Sequence, residues 1–520
     1  MAYNKSTTIG EIYRLRDKVL AENDVFKIGK RDVAAIFLKK LLDFDEKTNI
    51  KYSELEAAYR ASSAMKDIPE DSKDFWKYVE ENYLELKEEP KDKFTELSFQ
   101  ATEDLSLIAK NLKYINRERD ILDERKRQLG RLSAEDRYYR NQLDYFENKN
   151  IVARNEIVEF LTDGIKHHAI RKASSDFNAS YPIWSFFRDT PYAFGRAYKS
   201  YDVRSLDEYS NKFTDLPASG YREMIKECRQ SYDKFKEYAY YYISGDAEYL
   251  PSVREKLEDL VKTSHVLARR KQVIDALLKH FDEKDYLSFV NIAPLQIEGI
   301  FADICREIGV SESQLDISSL NDKLEHIDGK INNFHYFEYY AFKFPVLRNL
   351  VAHGGLVDGD MEKTALHLML DLLPVCDLTI SKELPVNYAL KVLDEAKNKN
   401  YEKVIEWLDL RDKVKIPDFY QVNEKIKEVE AIYTSQEFWN YLDLGLKRLN
   451  DVSQVKDCMP VKAAGKIKRS NLASAQAEKF LKSSGHVAAE AIKKRNEISA
   501  NVKRLLNLSN DPPMEEPSAP

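Results

Sequence analysis

Along most of the chain, apolar residues recur at intervals of three and four, the spacing that gathers them on one face of an α-helix. Val33, Ile36, Phe37 and Leu41 form one such stripe, and Leu105, Ile108, Leu112 and Ile115 form another. Residues 111–146 are highly charged with spaced Tyr and Leu, the pattern of a long surface helix or a helical hairpin. Residues 151–170 predict a further helix. The texture changes over residues 174–220, where Pro182, Pro191 and Pro217 interrupt any period. A domain boundary or packed loop is expected there. Helical spacing resumes at Tyr221 and runs to about Phe281.

Residues 284–383 read as a compact helical bundle. Pro294 suits the first turn of a helix, Ile297, Ile300, Phe301, Ile304 and Cys305 give it an apolar stripe, and Gly309 ends it. A polar link, 311–318, leads to a short helix at 320–327, broken by Gly329. An aromatic helix, NFHYFEYYAFKF, follows at 333–344, and then PVLRNLVAHGG. Pro345 can open a new helical turn, and Gly354 and Gly355 can stop it. The next helix is expected from Met361 to about Lys382, with Leu366, Leu370 and Leu373 turned inward. No repeat of 20–50 residues is present in the sequence, which argues against a regular solenoid.

Composition strengthens the helical reading. Gly and Pro number only 16 each in 520 residues, too few for the turns of a sheet protein. At 43% hydrophobic residues the chain can build cores, and its length implies several domains. We expect an all-α, multi-domain protein with segments 1–173, 174–283, 284–383, 384–460 and 461–520. No run approaches the roughly 18 apolar residues of a membrane span, and the first residues lack the apolar core of a signal peptide. A cytoplasmic protein with no membrane partner is therefore expected. Cys228, Cys305, Cys376 and Cys458 have no zinc spacing, and Cys305 and Cys376 read as core thiols.

The net charge of −7 is unevenly spread. Residues 461–504 hold eleven Lys/Arg against three Glu, and residues 110–140 hold ten against six acids. Such segments can meet nucleic-acid phosphates, and Lys462, Lys466, Lys468 and Arg469 are the residues expected to do so. The plainer alternative is a solvated helix face. Residues 463–508, rich in Ala, Lys, Ser and Asn, predict a loosely attached helix or hairpin outside any core, and the last twelve residues read as a disordered tail.

The stretch that suggests chemistry is RNLVAH, 348–353, on the short helix bounded by Pro and Gly. Arg348 and His353 lie five apart, about 140° net around a helix, so they do not share a face. Two copies related by a two-fold axis would bring both residue types into one cleft. Here the sequence resembles the HEPN superfamily, small all-helical domains whose ribonuclease members carry Arg, a polar residue and, a few residues on, His. The matching positions are Arg348, Asn349 and His353. The LQIEGIFADI stretch, 295–304, is also similar to HEPN domains of bacterial abortive-infection and phage-defence proteins. The resemblance covers about 100 residues, 284–383. It implies a metal-independent endoribonuclease without cofactor, acting on RNA as a homodimer. His353 would be general acid and base, Arg348 the phosphate ligand, and Asn349 a positioning group. It further implies a regulated toxin, whose trigger or regulatory partner the sequence does not name.

Other residues carry less. Glu298 lies on the first bundle helix and can orient Arg348 from behind, or be a surface carboxylate. His335 and the tyrosines after it read as core or dimer interface. His167 and His168 point to different faces and cannot act as a ligand pair. Residues 238–244, YAYYYIS, read as buried packing. Neither a P-loop nor a GxGxxG before a helix is present in the sequence, which ranks nucleotidyl transfer low. The competing reading is a non-catalytic helical scaffold that binds RNA or protein.

Overall fold

The structure, a computed structural model, describes residues 9–45, 49–62, 68–174, 192, 201–246, 250–331, 334, 336–354, 360–447, 459–470, 472 and 474–508. The protein is all-α. Among the described residues the only strand-like pairings are two isolated bridges, Leu86–Ser174 and Asp246–Leu250. The chain divides into two compact units, Met1–Asp207 and Glu208–Pro520. The division falls inside the stretch whose helical period lapses.

In the first unit, the apolar stripe of Lys30–Leu41 buries Val33, Phe37 and Leu38 against Leu55, Phe75 and Trp76. The charged region 111–146 lies in a hairpin, Pro90–Leu129 and Ala134–Glu159. Pro90 starts the first arm, and Gly130, in the left-handed region at φ 72°, ends it. Ser133 caps the return arm by accepting from the Asp136 N–H at 3.0 Å. Leu97, Ala101 and Ile108 pack on Ala153 and Ile157, and the buried amide of Asn111 donates across the hairpin to Asn150 at 3.3 Å. Much of the hairpin's basic charge is engaged locally. Arg119 pairs with Asp144 and Glu147, Arg125 with Asp136, and Arg140 with Asp123. That is the solvated face the charge pattern allowed. His167 is exposed and His168 buried, on different faces as expected.

In the second unit the central helix is Tyr286–Glu307, packed against Met361–Leu378. Ile297, Ile300, Phe301, Ile304 and Cys305 are all fully buried. Its start corrects the sequence reading. Asp285 caps the helix by accepting from the Ser288 N–H at 3.2 Å, so Pro294 lies inside the helix and not in its first turn. Pro294 removes one backbone hydrogen bond, and the buried packing on both sides carries the helix through it. By length and composition this helix could cross a membrane, at a mean hydropathy of 1.2, which the sequence reading had discounted. Much of that apolar stretch is buried inside the unit, where the helix packs on Met361–Leu378.

Helices Tyr232–Ser244 and Val253–Thr263 also pack on Met361–Leu378, so residues 208–283 belong to this same core. A buried ion pair fastens them to it. Lys212, with no exposed surface, pairs with Asp371, which also accepts from Tyr339 Oη at 3.0 Å and Asn211 Nδ2 at 2.8 Å. The YAYYYIS stretch is less buried than expected. Of its tyrosines only Tyr242 is buried, Tyr241 is exposed, and Tyr240 donates to Glu362 at 2.6 Å. Beyond residue 384, Pro385–Ala396, Tyr401–Leu410, Asn423–Thr434 and Gln436–Lys447 enclose a further cluster that includes Trp407, Phe438 and Trp439. The basic C-terminal helices Met459–Arg469 and Ala475–Leu508 contribute Ala463, Ile467, Ala477 and Phe480 to it. That overturns, for residues 463–484, the expectation that this segment stands outside any core: small Ala side chains let the helices approach closely enough for Ile467 and Phe480 to be buried, and none of the side chains described beyond Ser484 is buried. The last twelve residues, Cys458, His335 and Gly355 lie outside the described residues.

Candidate functional site

The helix Phe344–Ala352 carries RNLVA, and His353 is its C-terminal capping residue. Pro345 sets the first turn. At the other end the His353 N–H bonds the Asn349 carbonyl at 3.0 Å, and Gly354 takes φ 68°, a conformation that suits glycine. Gly354 thus ends the helix as its sequence position suggested.

Arg348 turns back onto the central helix. Its Nε donates to Glu298 Oε2, its Nη2 forms an ion pair with the same oxygen, and its Nη1 donates to Asn349 Oδ1 at 2.7 Å. The other carboxylate oxygen of Glu298 accepts from Lys323 Nζ at 2.9 Å, and Lys323 is held in turn by the Ser318 carbonyl at 3.2 Å. One carboxylate, largely shielded from water, therefore fixes two cations. The Arg348 side chain retains a quarter of its accessible surface. Glu298 is not a loose surface carboxylate; it holds Arg348 by charge-assisted hydrogen bonds.

His353 is exposed, and its ring makes no hydrogen bond to Arg348, Asn349 or Glu298. Arg348, Asn349 and Glu298 are thus one assembly, and His353 stands apart at the helix end, as the 140° separation requires. Leu295, Val346 and Leu350, on the two helices that the Arg348–Glu298 pair joins, are exposed by more than a third.

The basic residues expected to meet RNA lie elsewhere, on Met459–Arg469. Lys462 and Lys468 are exposed, and Lys466 is half-buried. Arg469 is committed to Asp409 by two hydrogen bonds of 2.9 and 3.1 Å, which hold that carboxyl down to about 2. Tyr339 and Tyr340 are buried and serve the core. Cys305 and Cys376 are buried thiols, and burial pushes Cys305 up to about 11. Among the described residues no group of three or more His, Cys, Asp or Glu is placed to share a metal ion.

Two groups escaped the sequence reading. Lys323 shares the buried stripe of Leu320, Leu324 and Ile327, and a lysine on an apolar stripe was a legible sign of a buried partner. Asp371, a lone acid among Leu368, Met369, Leu370, Leu372 and Leu373, carried the same sign. Comparison of the chain with protein-family models, with curated proteins and with solved structures finds no match.

Proposed function

We propose that the protein is a metal-independent endoribonuclease of HEPN type, acting in the cytoplasm as a homodimer and serving as a regulated toxin in defence against phage. The observation that carries this reading is the Arg348 guanidinium, pinned by Glu298 and Asn349 beside a helix end whose His353 ring is exposed and unengaged. RNA supplies its own nucleophile. His353 takes the proton of the 2′-hydroxyl, whose oxygen attacks phosphorus. The bond from phosphorus to the 5′ oxygen breaks, and that oxygen receives a proton from the second copy's His353. The products are a 2′,3′-cyclic phosphate and a 5′-hydroxyl. Imidazole suits both transfers near neutral pH. The planar fork of Arg348 suits the charge that builds on the phosphate oxygens, and Asn349 fixes the fork. Exposed Leu295, Val346 and Leu350 support a self-complementary face beside the motif.

Cleavage of RNA in the presence of chelator tests the reading. Arg348→Ala and His353→Ala are each expected to slow it by about a hundredfold or more. Undiminished cleavage by both variants removes the assignment. A substrate with a single 2′-deoxy position is expected to resist cutting there.

The fork of Arg348 is already engaged within its own chain, and that favours one alternative, a scaffold that binds RNA or protein without cutting. Wild-type protein that holds RNA but leaves it intact would select that alternative.

A further inference from the structure

A cavity of about 390 Å³ opens in the second unit, away from RNLVAH. Its size lies within the range of small-molecule sites. The loop at Phe213–Asp215, the helices Tyr232–Ser244, Val253–Thr263 and Met361–Leu378, and Tyr336 enclose it. Phe213, Leu260, Leu370 and Leu373 make its walls apolar.

The polar groups at its rim are unequal. Asp215 accepts from Lys256 Nζ at 2.8 Å and from Tyr242 Oη at 2.6 Å, and Lys256 lies 4.5 Å from the centre of the Tyr242 ring. Asp259 is paired with Lys262 at 3.0 Å. Asp377 has no hydrogen-bond or ion-pair partner for its carboxylate among the described residues. It lines the rim of the cavity, where it is also exposed to solvent. Its surroundings first, and the charge of Asp215 second, raise its carboxyl above the usual carboxylate range. Asp377 also stands in the last turn of an 18-residue helix with no basic residue there, so the negative end of that helix adds to its charge. Every other charge at the rim has its counter-ion on the protein. This one has the apolar walls of Leu370 and Leu373 beside it in the cavity lining.

We infer that the cavity is a binding site for a small organic cation, an amine with an apolar body about the size of an aromatic ring, whose ammonium pairs with Asp377 while its body lies on Leu370, Leu373 and Phe213. The concave, multi-walled shape favours a free molecule over the side chain of a bound peptide.

Calorimetric titration of the full chain tests this with phenethylammonium, neutral 2-phenylethanol, anionic 3-phenylpropionate and a capped Phe-Arg dipeptide. Phenethylammonium is expected to bind, with the neutral analogue weaker by about tenfold, the factor one charge-assisted hydrogen bond supplies, and the anion silent. Asp377→Asn keeps the shape and is expected to lose about the same factor. Asp377→Lys is expected to abolish binding while the thermal melt of the Asn variant stays that of the wild type. Four results would overturn the inference. One is no saturable binding of phenethylammonium below about 10 mM. The others are equal binding of the charged and neutral probes, no loss in the Asn variant, and a dipeptide that binds more tightly than the free amine.

Discussion

Glu298 is the residue on which the site turns. It touches no expected substrate atom, yet it sets the direction of Arg348 and shares its charge with Lys323. Glu298→Gln keeps the shape and removes the charge. It is expected to lower RNA cleavage less than Arg348→Ala does, and to raise KM more than it lowers kcat, because the fork would still reach phosphate but from a wider range of positions. Steady-state kinetics on one RNA substrate separates the two effects. His367 offers a second residue-scale test, this time of stability. Burial, then the charges of Lys212 and Lys363, push its imidazole down to about 2, and it stacks on Phe235 with ring centres 4.3 Å apart. Its folded pKa lies below the 6.5 of the free side chain, so the unfolded chain binds a proton that the folded chain refuses. That contribution is whole above pH 6.5 and is lost as pH falls from there toward 2, at about 1.4 kcal/mol per pH unit. Urea melts at pH 7, 6 and 5 are expected to show this loss in the wild type and a smaller one in His367→Phe.

At the scale of elements, close approach depends on particular small residues. A Cβ on Gly299 would stand 2.7 Å from the Arg270 guanidinium, which clasps Asp303 at 2.7 Å, Gln296 at 2.9 Å and the Gly299 carbonyl at 2.9 Å. Gly299→Ala is therefore expected to displace Arg270 and cost about 1–3 kcal/mol in chemical denaturation. A melt unchanged from the wild type would show that the side chain yields freely. Most helices were legible because their apolar period is strong, as Ile297, Ile300, Phe301 and Ile304 illustrate. The start of the central helix was not, because Pro294 mimics a first-turn proline and only tertiary packing carries a helix through it. The burial of the C-terminal helices was hidden in alanines, which mark close packing and solvent exposure alike. In the motif, the separate faces of Arg348 and His353 could be read from helix geometry. The grip of Glu298 on Arg348 was legible only as one of two readings of that acid, because a contact that spans fifty residues has no local signature.

Across the whole molecule, residues 174–283 were expected to form a segment of their own, and residues 208–283 of it belong to the core that holds RNLVAH. A fragment beginning at 284 would strand Asp371 in that core without Lys212. Lys212→Met makes the same defect by one side chain and is expected to cost about 3–5 kcal/mol, measured by denaturant melts. A fragment of residues 208–520, in contrast, is expected to keep its helical circular dichroism. If the first unit restrains a nuclease, that fragment is expected to be more toxic in cells than the full chain. Lys212 and Asp371 are 159 positions apart, and neither can be buried at low cost before the other arrives. On the ribosome this delays assembly. A nascent chain that already displays RNLVAH still lacks the acid that holds Lys212, within the same unit, so the motif is synthesised before the core that supports it can close.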